Sequence, residues 1–359
     1  MDNNKIIYVS FLDSNSEKGG GHIETIAEIN QFQKIYGNID IACINSIKNN
    51  YPIEKGNKFL QVKKLNKLIP IFGKRPFISF NLLSKYQKVF IADSRCFVPF
   101  LMASFLKKDI YFKSHGSLAI YFWSYIKANL FIFKWQPIVS FIKIFYYLIL
   151  ILIFTFLETY IYIFSKKIYM MRSKKSFRLS FWGQIYCKLF ARKTEFSFCP
   201  SLNKYKLDEK FNYLDRKKKN SKKLNILIFG NWQLPHNFSS LVDFIERLNI
   251  NISCTINIVG KIDISKKEII NKLNLKNKFE INILGYIKNL DKLKSLSTHV
   301  VSCANYGSGI PIKCLEIIIE SEHFNYIPMA STYCMKSLKG ILNIEKYTFP
   351  SKGAIIIKF

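Results

Sequence analysis

Acidic side chains are scarce in this sequence: 24 Asp and Glu stand against 54 Lys and Arg, a formal charge of +30 in 359 residues. Ligand patterns for metals are missing too. The eight cysteines form no CxxC pair and no Cys/His zinc spacing, and Cys303 and Cys314 lie in apolar segments. Buried thiols in a reducing compartment account for them. No Asp-x-Asp occurs, so that dicarboxylate seat for a divalent cation is absent. No GxGxxG follows the first apolar run, which argues against a dinucleotide oxidoreductase. The amino terminus, MDNNKIIYVSF, lacks a basic leader followed by a long apolar stretch, so no secretory signal is expected. There is no solenoid-type repeat. Part of the positive charge follows from heavy use of Lys throughout; the remainder favours an anionic partner, either nucleotide phosphates or an anionic lipid surface. Nucleic acid ranks last, because no recognition motif is present and the cations are scattered or flank an apolar run.

What is present is a rhythm of short apolar runs and helical segments. KIIYVSF (5–11) reads as a buried first strand, followed by a loop with Gly19, Gly20 and Gly21 and a helix ending at Gly37. IDIACI (39–44), KVFIAD (88–93) and DIYFKS (109–114) read as further strands. Alternation of this kind predicts an α/β chain with parallel sheets covered on both faces. The pattern restarts at LNILIF (224–229) and continues through TINIVG (255–260), FEINILG (279–285) and THVVSC (298–303). Residues 204–223 are polar and strongly basic and read as a linker. The chain thus divides into a unit over 1–203, the linker, and a doubly wound unit over 224–359.

Residues 302–320, SCANYGSGIPIKCLEIIIE, carry the sharpest chemical signal. A strand runs into a small-residue loop, and a helix is expected from Pro311, a residue suited to a first helical position. The free amides of a first helical turn, with the positive end of the helix dipole, seat a phosphate. Lys313 adds a full charge there, and Glu316, one turn deeper, can accept two hydrogen bonds from a ribose diol. Phosphate donors and a diol acceptor in one unit point to a nucleotide-sugar. Taken alone, the same residues also describe an ordinary helix start with a surface lysine and a solvated glutamate.

In order and spacing the chain resembles bacterial glycosyltransferases of the GT-B fold, similar to the large family-four group. The matching features are the glycine loop 19–21, "ILIFGNWQLPHN", "ILGYIKNLDKL", and "GSGIPIKCLE" entering a helix. The resemblance covers most of the chain. It implies two Rossmann-like domains facing a cleft, and metal-free, retaining transfer of a sugar from a nucleotide donor. Without a metal, amide donors and cations must meet the leaving diphosphate's charge. Lys313, the helix start at 309–312 and, across the cleft, Gly20 and Gly21 are assigned to that task; the glycines also fit a plain surface turn. His115, in SHGS, falls where the family has a histidine near the reacting sugar, and equally fits a strand-end histidine. Asn231, His236 and Asn237 fall where donor-contacting polar residues occur, although Asn237 also reads as a helix N-cap. Tyr286 and Ile287 align with the base pocket, and Gly307, Ser308, Gly309 and Ile310 with the donor loop.

The family carries two glutamates eight positions apart in the last motif. Glu316 matches the second, which contacts ribose, whereas Ser308 stands at the first, so a neutral hydroxyl replaces a carboxylate that grips sugar hydroxyls. That departure leaves the donor sugar open, and it keeps an inactive nucleotide-binding scaffold as the second reading. A subgroup with a G-x-G-x-x-x-K-x-L-E pattern matches better, and Lys313 fits it. Relatives continue past the last strand with further helices, so the second unit reads as shortened.

Residues 118–164 are apolar and aromatic, and 144–157 hold no charge. A spanning helix wants about 20 apolar residues. Crossing once would separate the two half-sites, so a monotopic placement in one leaflet is preferred over a span. Trp123, Phe131, Phe133 and Trp135 suit the headgroup zone, and Lys166, Lys167, Arg172, Lys174, Lys175 and Arg178 suit anionic lipid. A buried helix pair in the first unit is the other reading. The resulting expectation is a peripheral enzyme at the cytoplasmic face of the plasma membrane, acting on a lipid-linked or polysaccharide acceptor, with no cofactor and no nucleic-acid partner.

Overall fold

The computed structural model describes residues 5–10, 20–43, 59–61, 63–64, 76–114, 117–171, 174, 181–196, 223–250, 252–276, 279–305, 312–331, 348–349 and 355–356. The chain forms two compact units, Met1–Leu118 with Ile153–Phe211, and Ala119–Leu152 with Asn212–Phe359. The linker expected at 204–223 lies outside the described residues except for Lys223.

The first unit begins with β1 (Ile6–Val9), α1 (Gly20–Tyr36), β2 (Asp40–Cys43) and β3 (Phe59–Gln61). A short antiparallel pair follows, β4 (Lys63–Lys64) with β5 (Pro76–Phe77). Next come α2 (Phe80–Ser84), β6 (Lys88–Ile91), α3 (Phe97–Phe105) and β7 (Asp109–Ser114). Helices α4 (Leu118–Ile132) and α5 (Pro137–Phe164) precede β8 (Lys167–Met170), α6 (Phe181–Phe190) and β9 (Thr194–Phe196). Seven strands pair in parallel in the order β3-β2-β1-β6-β7-β8-β9. β1 is buried throughout and β6 nearly so, which is why both read as continuous apolar runs. Strand order reverses direction at β1 and β6, the switch point of a doubly wound sheet.

The second unit runs β10 (Leu224–Phe229), α7 (Pro235–Arg247), β11 (Leu248–Asn249), β12 (Cys254–Val259), α8 (Ile264–Lys276), β13 (Glu280–Gly285), α9 (Asp291–Leu296) and β14 (His299–Ser302). It closes with α10 (Ile312–Phe324), β15 (Ile327–Ser331), β16 (Thr348–Phe349) and β17 (Ile355–Ile356). Its sheet has the order β13-β12-β10-β14-β15-β16, parallel throughout, with the switch at β10 and β14. The expected closing strand 353–359 contributes β17, which pairs with β11 outside this sheet.

The apolar segment is shared between the units, with 119–152 in the second and 153–164 in the first. It is therefore not a buried pair within the first unit. Ile132 joins the second unit's core, and Phe131 and Trp135 pack against it. Those two aromatics are half-buried by that packing, while Trp123 and Phe133 are exposed. Along α5 the exposed residues include Phe141, Phe145, Leu152 and Phe156, each about two-thirds to three-quarters accessible. Helix α5 is long and apolar enough to cross a membrane, and its most apolar window is only 11% buried.

One buried ion pair stands out in the first unit. Lys113 Nζ on β7 lies 2.6 Å from Glu28 Oε2 on α1, and both side chains are essentially inaccessible. Removing one partner strands the other charge away from water. Lys113→Met is expected to destabilise the first unit by about 3–5 kcal/mol, read as a fall in urea midpoint. The double variant Lys113→Met/Glu28→Leu recovers most of that loss, because no lone charge remains. A double variant as unstable as the single one would refute the account.

Candidate functional site

In doubly wound sheets, ligands bind outside the strand carboxyl ends at the switch point. In the second unit three glycines close these ends. Gly230 N–H, after β10, donates to Val259 O at 3.0 Å, and Gly260 N–H, after β12, donates to Gly285 O at 2.7 Å. Trp232 is buried beneath them and its Nε1 donates to Val259 O at 2.9 Å. Lys266 Nζ on α8 holds the same loop, donating to Trp232 O and Gln233 O, each at 2.9 Å.

Across the switch, α10 begins at Ile312, so Lys313 falls in its first turn and Glu316 one turn on. Lys313 Nζ lies 5.8 Å from the centre of the Phe229 ring at the end of β10. Lys313 keeps solvent exposure, yet the protein around its ammonium lowers its pKa, with the charge of Glu316 opposing the shift. Lys294 Nζ approaches the other neighbours of this ring, 5.9 Å from Phe229 and 5.3 Å from Phe324, and is paired with Glu320 at 2.6 Å. Asn305, leaving β14, is fastened to α7: its N–H donates to Ser240 Oγ and its side-chain amide to Asp243 Oδ2, each at 2.8 Å. Asp243 also accepts from Arg247 Nη1 at 2.9 Å. This end of the sheet can attract an anion at Lys313 and accept hydroxyl donors at Glu316. Gly307, Ser308, Gly309, Ile310 and Pro311 lie outside the described residues.

The loop after β10 corrects the capping expectation. Pro235 opens α7, Leu234 is its N-cap without a side-chain bond, and Asn237 sits inside the first turn. Asn237 Nδ2 instead donates to Asn231 O at 3.0 Å, and exposed Asn231 accepts from Gln233 N–H at 3.2 Å. His236 is buried, stacked on Tyr125 at 5.1 Å and edge-on to Tyr121 at 5.3 Å. Its Nδ1 has no hydrogen-bond partner among the described residues. Tyr286 is exposed, with Lys261 Nζ 5.8 Å from its ring centre, while Ile287 packs on the core formed by Leu227, Val259 and Val300.

Burial lowers the pKa of His236 to about 4, and that of His299, at the start of β14, likewise to about 4. A histidine depressed in the folded state is protonated more readily when unfolded, so folding loses stability as pH falls. The contribution is whole above about pH 6.5 and drains away as pH falls toward 4. Two such groups are worth up to about 3 kcal/mol each. Urea melts at pH 7, 5.5 and 4 (about the span of these shifts) are expected to show that slope. His236→Phe, which keeps the stacking on Tyr125, removes about half of it.

In the first unit, Gly20 and Gly21 open α1 instead of ending a loop, so their N–H groups belong to the unpaired first turn of a helix. His115 lies outside the described residues, but its flanks are held. Glu158 on α5 is buried and accepts from Ser117 Oγ at 2.6 Å, from Ser94 Oγ at 3.4 Å and from Leu118 N–H. Tyr162 Oη donates to Ser114 Oγ at 3.1 Å. Trp232, Lys266, Asn305 and Asp243 escape sequence reasoning, since their partners lie tens of residues away; only Glu158, a lone acid in an apolar helix, is visible from composition. Among the described residues, no group of three or more His, Cys, Asp or Glu side chains converges.

No protein-family model and no curated protein matches the sequence. Solved structures do. Anabaena HepE, determined with UDP and glucose, is 11% identical with a TM-score of 0.55, covering 97% of this chain and 86% of that one. The lipopolysaccharide outer core galactosyltransferase WaaB is 12% identical with a TM-score of 0.52, over 96% of this chain and 85% of that one. A glycosyltransferase from Rickettsia africae is 13% identical with a TM-score of 0.53, over 98% and 85%. The chain has the α/β GT-B fold, with two Rossmann-like units.

Proposed function

We propose that this chain is a glycosyltransferase that moves a sugar from a nucleotide-sugar to a lipid-linked or polysaccharide acceptor, with retention and without a metal. The observation that carries the reading is Lys313 in the first turn of α10, its ammonium over Phe229 at the switch point, with Glu316 one turn behind. Lys313 and the first-turn amides meet the diphosphate, and Glu316 takes the ribose diol. The UDP and glucose bound to HepE support a donor of this class. Membrane association at the cytoplasmic face is part of the proposal, supported by the exposed apolar side of α5. Titration with UDP and GDP is expected to show micromolar binding (about 8 kcal/mol), and transfer from the matching sugar donor is expected to persist in EDTA. Ser308 in place of an acid favours the second reading, a nucleotide-binding scaffold; binding without turnover on any donor selects it. Absence of nucleotide binding rejects both.

A further inference from the structure

We infer that the first unit holds an anionic-headgroup site at the amino ends of β7, β8 and β9, filled by the phosphate of an acidic phospholipid. This rests on the membrane reading above and gives the anionic lipid expected at Lys166 and Lys167 a defined cavity. A cavity of about 540 Å³ opens there, lined by Tyr111, Lys166, Lys167, Arg192, Lys193 and Glu195 among others. Two carboxylates answer its four cations: Asp109, 2.8 Å from Lys166, and Glu195, 2.6 Å from Lys167. Four positive charges less two negative leave a net charge of +2 at one opening. Arg192 is exposed and has no ion-pair partner among the described residues.

Lys193 ties this cavity to the apolar surface. Its Nζ donates to Ile163 O at 2.8 Å and Ser165 O at 3.0 Å, closing the carboxyl end of α5. Ile163 and Phe164, in that same last turn, are both more than half exposed, as is Phe156 two turns earlier. Cations therefore stand directly beside side chains that need an acyl layer, which is the pairing an acidic phospholipid offers and a soluble phosphate does not. The strand carboxyl ends, one of which leads into Gly20 and Gly21 at the start of α1, are at the opposite end of this sheet. Within the first unit the site is thus separate from Gly20 and Gly21.

Flotation of the full chain with vesicles of phosphatidylcholine, alone or doped with phosphatidylglycerol, tests the inference. Wild type is expected to partition more strongly onto the acidic vesicles. Lys167→Glu/Arg192→Glu is expected to lose that preference by about tenfold or more while keeping wild-type binding to neutral vesicles. Arg192→Glu alone, at an exposed position, gives a smaller loss in the same direction and guards against a folding artefact in the double variant. Phe156→Asp/Phe164→Asp is expected to weaken binding to both vesicle types. A wild-type chain that floats equally with both vesicles overturns the headgroup site and leaves the membrane reading standing. Reversal variants that bind acidic vesicles like wild type do the same. Full competition by millimolar inorganic phosphate (about 4 kcal/mol of binding) makes the site one for a soluble anion and overturns the lipid assignment. A wild-type chain that floats with neither vesicle overturns the membrane reading itself.

Discussion

Lys313→Ala is expected to slow sugar transfer by about a hundredfold to a thousandfold, the range found when one donor to developing charge is removed. In the proposed reaction the leaving diphosphate gains charge as the glycosidic bond breaks, and an interaction that strengthens along that path lowers the barrier. Lys313 sits in the first turn of α10, beside the free amides of that helix end, with its ammonium 5.8 Å from the Phe229 ring. The protein around its ammonium lowers its pKa, so an arriving phosphate also relieves a cost already present. Turnover is therefore expected to fall more than nucleotide affinity does. Glu316→Ala should behave differently: on the proposed reading it removes a ground-state contact to the nucleoside, so nucleotide binding weakens by about tenfold and turnover follows. Initial rates beside UDP and GDP titrations of both variants separate the two roles. Wild-type turnover in both removes the assignment.

Gly260→Ala is the stability change with the largest expected effect. Gly260 has φ +135°, a region side chains rarely occupy, and an added Cβ would meet Gly230 O at 1.9 Å and Trp232 Nε1 at 2.9 Å. Neither neighbour can step aside: Gly230 is bonded to Val259, and Trp232 is buried and bonded to the same carbonyl. Strain and clash together are expected to cost about 4 kcal/mol or more, spreading the ends of β10, β12 and β13. Gly37→Ala is the matched control. Its φ is +79° but nothing lies within 4 Å of the added Cβ, so only the backbone cost of about 1–2 kcal/mol applies. Denaturant melts of the pair measure the difference; equal losses would mean that packing at Gly260 contributes nothing.

Much of the fold is legible from local pattern. Short apolar runs at 224–229, 255–260, 279–285 and 298–303 become β10, β12, β13 and β14 with ends shifted by a residue or so. Their parallel pairing follows from the helices between them, because parallel strands need crossover connections. The placement of Lys313 and Glu316 in the opening turns of a helix after a strand is local in the same sense. Boundaries are less secure: Gly20 and Gly21 enter α1, and Pro235 moves the start of α7 ahead of Asn237. Proline at a first helical position outweighed the capping preference of asparagine two residues later.

By itself the sequence determined two doubly wound units and a cationic helix start at a switch point, since period, proline placement and charge act over a few residues. Tertiary structure alone decided that 119–152 belongs with the second unit, that His236 is buried against Tyr121 and Tyr125, and that Glu158 holds Ser117 and Leu118 while Tyr162 holds Ser114. It also decided which cations surround an open cavity rather than a solvated face. Each of these depends on partners dozens of residues apart, whose meeting is set by packing and not by any preference of the local chain.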